Sequence, residues 1–271
     1  MSQLSIEVKK IMDKDPITID KNETLVQGLR LLEKGKISHL ILLSGEKVEG
    51  IVSEKDVLAK LGTTRTWRTD LSRFHLSSFV RRPLITIDLS SKVSDAIGIM
   101  MKEEIGFLPV VENHKLVGVV SKQTLVSKLK FEPLEVSNIF TSNVKTIAPS
   151  TPVPDARRII NEQQFSSLPV VEGFKLVGVL TDTRLLQAIT KLYKRAEWRV
   201  REQRFRRMIV ADIFSRQRNT LHPSDGISLA AEILANKDVK SLVIVDERDF
   251  IMGILTKSDL LSYLLQKGAS R

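Results

Sequence analysis

The feature that most constrains this chain is a fourfold internal repeat. Its copies run Pro16–Leu61, Leu84–Leu129, Val144–Ile189 and Arg218–Leu264. Each must be the same supersecondary unit, and neighbouring units must bury one another's apolar faces. Each copy opens on a short β-like stretch (ITI, ITI, KTI, NTL) and a polar segment suited to a helix start. A helical pattern follows; in the first copy Leu25, Leu29 and Leu32 stand at i, i+4 and i+7 and mark one buried face. Next comes an apolar strand (HLILL, FLPVV, SLPVV, SLVIV). A turn near Gly45, Asn113, Gly173 or Asp246 leads to a second strand (VEGIV, LVGVV, LVGVL, IMGIL) and a closing helix. The order is β-α-β-β-α. The continuous apolar strands are expected to be covered on both faces.

Each copy passes from its last strand to its last helix through G-h-h-[ST]: GIVS, GVVS, GVLT and GILT. In the first and fourth copies an acid stands three residues beyond the hydroxyl, giving Ser53 with Asp56 and Thr256 with Asp259. Two readings fit. One is a capping box, in which hydroxyl and acid satisfy free N–H groups at the helix start. The other is a nucleotide site: a helix N-terminus suits phosphate, and a carboxylate one turn on can accept from the paired hydroxyls of a ribose. The second and third copies keep the hydroxyl but replace the acid, reading Ser121 with Thr124 and Thr181 with Arg184. If capping required the acid, all four helices should keep it, so its loss points to a role separable from the fold.

Four β-α-β-β-α copies carrying G-h-h-[ST]-x-x-D or its variants resemble the cystathionine-β-synthase (CBS) domain family, whose members pair into Bateman modules. Four tandem copies with no other domain are similar to the gamma subunit of AMP-activated protein kinase and to stand-alone prokaryotic CBS proteins. The resemblance implies an α/β (α+β) fold of four β-α-β-β-α CBS repeats paired into two Bateman modules. The first would span 1–130 (repeats about 8–62 and 76–130) and the second 131–271 (repeats about 134–190 and 208–266). It further implies a non-catalytic regulatory protein that binds an adenine nucleotide, AMP, ADP or ATP, in clefts between paired repeats.

Carried over position by position, Ser53, Asp56, Thr256 and Asp259 mark the two competent sites. Ile37, Ser38 and His39, and Val239, Lys240 and Ser241, stand just before the middle strand, where the family lines its base and phosphate pocket. Backbone near Ile17 and Asn219 would complete it. Ser121, Thr124, Thr181 and Arg184 depart from the pattern and mark doubtful sites; Arg184 could instead direct a guanidinium at phosphate from a neighbouring site. For His39 the competing reading is a structural or surface histidine, and for Lys240 a solvated lysine.

The joints between copies carry most of the charge. Lys191–Arg207 reads KLYKRAEWRVREQRFRR, without Gly or Pro, and is expected to be helical, with Trp198 and Phe205 on one face. Gly62–Leu76 places Trp67, Leu71 and Phe74 at i, i+4 and i+7. Either the aromatics pack on the modules while the arginines face water, or the basic segment binds nucleic acid or an acidic protein. The net charge of +10 favours anionic partners without choosing among them.

The absence of cysteine excludes disulfides and thiolate chemistry. The four histidines (39, 75, 114 and 222) show no ligand spacing, and no Walker, zincin or nucleophile-elbow motif occurs, which disfavours an enzyme and a metal site. The opening MSQLSIEVKK has no apolar core of a secretory signal, and no run approaches a membrane span, so the expected location is cytoplasmic. The expected partners are an adenine nucleotide and a protein target. Nucleic acid through Lys191–Arg207, a homodimer, and S-adenosylmethionine as an alternative adenosine ligand stay open.

Overall fold

The computed structural model describes residues 3–81 and 83–269; residues 1, 2, 82, 270 and 271, including the outer edges of the two expected modules, lie outside the described residues. Each copy forms a small sheet flanked by helices. Copy 1 has β1 (Thr18–Asp20), α1 (Leu25–Gly35), β2 (His39–Ser44), β3 (Lys47–Ser53) and α2 (Glu54–Lys60). Copy 2 has β4 (Ile87–Asp88), α3 (Val93–Lys102), β5 (Phe107–Glu112), β6 (Lys115–Ser121) and α4 (Lys122–Lys128). Copy 3 has α5 (Val153–Glu162), β7 (Ser167–Glu172), β8 (Lys175–Thr181) and α6 (Asp182–Arg195), followed by α7 (Trp198–Arg207) in the joint. Copy 4 has β9 (Thr220–Leu221), α8 (Ile227–Leu234), β10 (Ser241–Val245), β11 (Ile251–Thr256) and α9 (Lys257–Ala269).

In copies 1, 2 and 4 the first strand runs parallel to the middle one, and the hairpin partner is antiparallel. Copy 3 departs from the expected pattern: the KTI stretch makes only an isolated parallel bridge, Ile147 to Val170, beside the β7-β8 hairpin. The hairpins turn through left-handed residues, Gly45 (φ 61°), Asn113 (φ 49°), Gly173 (φ 61°) and Asp249 (φ 64°), where glycine, asparagine and aspartate are the tolerant choices. As the apolar runs predict, the middle strands are largely covered; every residue of β10 is buried.

The segment before each copy belongs structurally to that copy's neighbour. Val8 N–H donates to Ser91 O (2.8 Å) and Val93 N–H to Ile6 O (2.9 Å), so the first residues cover copy 2. In exchange, Leu25 N–H donates to Phe74 O (2.7 Å) and Leu76 N–H to Glu23 O (2.9 Å), so the joint before copy 2 covers copy 1. Copies 3 and 4 repeat the exchange through Val136 N–H to Asp225 O (2.8 Å) and Val210 N–H to Thr151 O (2.9 Å).

This exchange explains the glycine that opens G-h-h-[ST]. A Cβ at Gly50 would lie 2.4 Å from Val80, at Gly118 2.7 Å from Met12, at Gly178 2.1 Å from Ser215 O and at Gly253 2.1 Å from Phe140. Each glycine accepts a plug from the partner copy, and real Cβ contacts do not come so close.

Four apolar clusters result among the described residues. One large core joins copies 1 and 3, with Leu25, Leu58, Ile160, Leu185 and Trp67 among its members. The other joins copies 2 and 4, including Ile97, Leu125, Leu234 and Leu260. Two small clusters lie where sheets face each other: Ile41, Val48 and Val119 between copies 1 and 2, and Leu176, Val243 and Val245 between copies 3 and 4.

The joints differ from expectation in two ways. Lys191–Arg207 is not one helix: α6 ends at Arg195, Ala196 and Glu197 are extended, and α7 begins at Trp198. Gly62–Leu76 contains short 3-10 turns rather than an α-helix, although Trp67 and Leu71 are still buried. Trp67 stacks on Tyr193 (5.0 Å between centroids) and tilts against Phe205 (5.2 Å). Trp198 and Phe205 do not share an environment: Phe205 is 4% exposed and Trp198 48%. The neighbouring joint meets α7 at Arg201, Glu202 and Phe205. Nor do all the arginines face water. Arg201 is buried and donates to Ala196 O, Tyr193 O, Trp67 O and Asp70 Oδ1. No helix among the described residues is long and apolar enough to cross a membrane.

Candidate functional site

All four last helices start on the hydroxyl of the motif. Ser53, Ser121 and Thr181 accept from the backbone N–H groups of Asp56, Thr124 and Arg184 at 3.2, 3.0 and 3.2 Å. In copy 1 the capping box is complete, because Asp56 Oδ2 also accepts from Ser53 N–H (2.8 Å) and Ser53 Oγ (2.5 Å). In copy 4 Asp259 Oδ2 accepts from Thr256 N–H and Thr256 Oγ1, both at 2.7 Å. In copy 2 the hydroxyls of Ser121 and Thr124 meet at 2.9 Å, and in copy 3 Arg184 is exposed. Yet α6, which lacks the acid, is the longest helix among the described residues. The acid caps where it is present, but the helices form without it.

The residues before the middle strands are brought to these starts. Glu54 N–H donates to Ser38 O (3.0 Å), fixing the entry of β2 against the head of α2. Ile17 and Ile37 converge over Gly35, whose Cβ would lie 2.7 Å from Ile17 and 3.4 Å from Ile37. His39 is partly buried, with Ser38 Oγ 2.9 Å from its Nδ1 and its ring stacked on Phe107 at 5.0 Å and 5°. Burial, with Lys240, Lys55, Arg81 and Lys122 nearby, pushes its pKa down to about 3, so the ring is neutral. The equivalent pair in copies 3 and 4 is Ser167 and Ser241, buried and hydrogen-bonded at 2.7 Å. Ser241 is thus engaged at the contact between two sheets, and His39 at its counterpart.

In copy 4 the corresponding residues are engaged by the protein's own groups. Lys240 is not solvated. Its ammonium lies 3.4 Å from Glu54 and 3.7 Å from Asp182, acids at the first positions of α2 and α6 in copies 1 and 3. Burial works against its charge, but Asp182 and Glu54 outweigh that and hold its pKa above the ordinary value. Val239 is buried and its carbonyl accepts from Lys257 Nζ at 2.6 Å. Asn219 O accepts from Val243 N–H (3.0 Å), so that stretch of backbone is tied into the sheet.

Glu54, Lys55, Lys122, Asp182 and Lys257, which reading by repeat had passed over, crowd the same region. Thr183 Oγ1 donates to Glu54 Oε2 (2.6 Å), linking copies 3 and 1. Lys122 Nζ donates to Ser258 Oγ (2.9 Å), linking copies 2 and 4. Burial raises the pKa of Glu54 and, despite the Thr256 hydrogen bonds, that of Asp259. Burial lowers Lys55, and brings Lys122 and Lys257 down to about 8. Lys122 and Asp259 are close enough to feel each other's charge, as are Lys55 and Asp56. Among the described residues neither Lys122 nor Lys257 has a carboxylate within 4 Å. A signal was available: the residue after the motif hydroxyl is acidic in copies 1 and 3 and lysine in copies 2 and 4. Chemically, the region offers carboxylate acceptors beside partly desolvated ammonium donors.

The comparisons agree with this architecture. A family model described as the CBS domain matches residues 8–63, 76–130, 136–191 and 210–266. A Methanocaldococcus jannaschii protein, MJ1225, is 26% identical over 278 residues, spanning 95% of this chain and 99% of its own length. The crystal structure of MJ1225, described as a candidate archaeal homologue of γ-AMPK, superposes with a TM-score of 0.82 at 22% identity and covers the same shares. An uncharacterised conserved protein from Pyrococcus horikoshii superposes at 0.65 with 19% identity, covering 96% of this chain and all of its own. With its four repeats matched in full, this chain belongs to the CBS-domain family.

Proposed function

We propose that this protein is a regulatory sensor of adenine nucleotides, binding AMP, ADP or ATP at the two copies that keep the acid. In this reading the chain divides near residue 130 into two modules, 1–130 and 131–271. Asp56 and Asp259 accept from the ribose hydroxyls, and Ser53 and Thr256 stand toward the phosphate. The observation that carries the reading is that α4 and α6 start on the motif hydroxyl without an acid, whereas copies 1 and 4 hold Asp56 and Asp259 against Ser53 and Thr256 at the same place. A diol acceptor thus stands beside a hydroxyl at a helix start, and a carboxylate kept only as a cap would be equally wanted in all four copies. S-adenosylmethionine fits less well, since its sulfonium would face lysines. The description of MJ1225 as a candidate homologue of γ-AMPK is in keeping with a regulatory role. A nucleotide acts through its differential affinity for two arrangements of the modules, and the output is a contact with a protein target.

The test is calorimetric titration of nucleotide-stripped protein with AMP, ADP, ATP and S-adenosylmethionine. Saturable adenine-nucleotide binding is expected, with one equivalent per acid-bearing copy. Asp56→Ala and Asp259→Ala should each remove one equivalent while circular dichroism stays native. Failure of the wild type to bind any of them would return both acids to the capping role.

A further inference from the structure

The two joints carry nearly all of the net charge. Lys191–Arg207 has eight Lys or Arg against two acids, and Gly62–Leu76 three arginines against one acid, together +8 of the chain's +10. They lie far apart in sequence, but the fold brings them to one edge. Trp67 packs on Phe205, Thr64 Oγ1 reaches Glu202 (3.3 Å), and the buried Arg201 binds Trp67 O and Asp70. Two of the three acids are already engaged: Asp70 with Arg201 (3.1 Å) and Glu202 with Arg206 (2.8 Å). Apart from the exposed Glu197, what remains outward is basic, with Arg65, Arg68 and Arg73 from one joint and Arg199, Arg204 and Arg207 from the other, all exposed. Beside them the indole of Trp198, 48% exposed, has the Arg199 guanidinium 5.4 Å from its ring.

We propose that this edge is a binding surface for single-stranded nucleic acid. Arginines dominate the patch, and their planar fork suits phosphate oxygens. An exposed indole among cations is a platform on which any base can stack. An acidic protein segment would satisfy the charge but would leave the indole without a partner. The chain presents no groove-reading motif, so the recognition is of backbone and base faces rather than of sequence.

The test uses the full chain and labelled single-stranded oligonucleotides, oligo-U RNA and oligo-dT, read by fluorescence anisotropy at about 50 and about 200 mM salt. Affinity should fall on the order of 10²-fold or more across that range. Trp198→Ala should weaken binding roughly tenfold with the salt slope unchanged. Arg204→Glu with Arg207→Glu should weaken binding and flatten the slope. Asp56→Ala and Asp259→Ala should leave it unaltered, which separates this surface from the nucleotide clefts. Absence of binding at the lower salt overturns the proposal. So does binding that ignores the arginine reversals, or a poly-glutamate peptide that binds as tightly and is indifferent to Trp198→Ala; the last outcome assigns the edge to an acidic protein.

Discussion

The contact between copies 1 and 3 and the contact between copies 2 and 4 use the same helices in opposite electrical senses. In the first, the residues opening α2 and α6 are Glu54 and Asp182, and Lys240 reaches across to bridge both. In the second, the residues opening α4 and α9 are Lys122 and Lys257, and among the described residues their ammonium groups hydrogen-bond to neutral acceptors, Ser258 Oγ and Val239 O. The acidic contact has a counter-ion within 4 Å, supplied by copy 4, and among the described residues the lysine contact has none. A buried charge without a partner is expensive, so the lysine half is the one that an external anion would complete. The acidic half is also reinforced outside by Arg201, which ties α6, α7 and the first joint together.

The largest effect should come from that reinforcement. Arg201→Ala leaves three backbone carbonyls without their donor and opens a void beside Trp67; about 3–5 kcal/mol of stability should be lost in urea denaturation. Lys240→Met comes next, at about 2–3 kcal/mol near neutral pH, because Glu54 and Asp182 would stay buried without a cation. That loss should shrink on acidification, as the Glu54 carboxylate, whose pKa burial already raises, takes up a proton.

The same replacement in the other half should change sign. The pKa of Lys122 is about 8 in the folded protein against an ordinary 10.5, so the unfolded chain binds more protons between those values. Wild-type stability should therefore rise with pH through that window. Lys122→Met, which has no charge to desolvate, should melt slightly higher than wild type at pH 7, with the gain fading by pH 10.5, while binding anions more weakly. Thermal scans across pH check both variants. A Lys122→Met protein that melts lower at neutral pH would break the comparison.

The repeat, the unit order and the hydroxyl caps were legible because each depends on a few adjacent residues. Leu25 and Leu32 are buried as their spacing predicts. The bridge from Lys240 to Glu54 was not legible, since 186 residues separate the partners and neither carries a local sign of the other. The exchanged segments were legible in principle. Val8-Lys9-Lys10-Ile11-Met12, Val136-Ser137-Asn138-Ile139-Phe140 and Val210-Ala211-Asp212-Ile213-Phe214 share one pattern, and Leu76-Ser77-Ser78-Phe79-Val80 follows it more loosely. They fall inside the expected repeat bounds, but nothing local shows that each one covers the other copy of its pair. The glycine of G-h-h-[ST] has the same history: its reason lies in another copy's side chain.

The exchanged segments also set the order in which a nascent chain can become protein. When copy 1 leaves the ribosome, its glycine socket at Gly50 is empty, and its plug, Val80, has not yet been made. Val8 and Met12, made first, have no berth until copy 2 follows. Closing each pair needs contacts between distant stretches, which slows folding relative to a chain of self-contained repeats. The shortest stretch that keeps every plug with its socket is therefore the pair, and a break at the edge of a single repeat would orphan two halves at once.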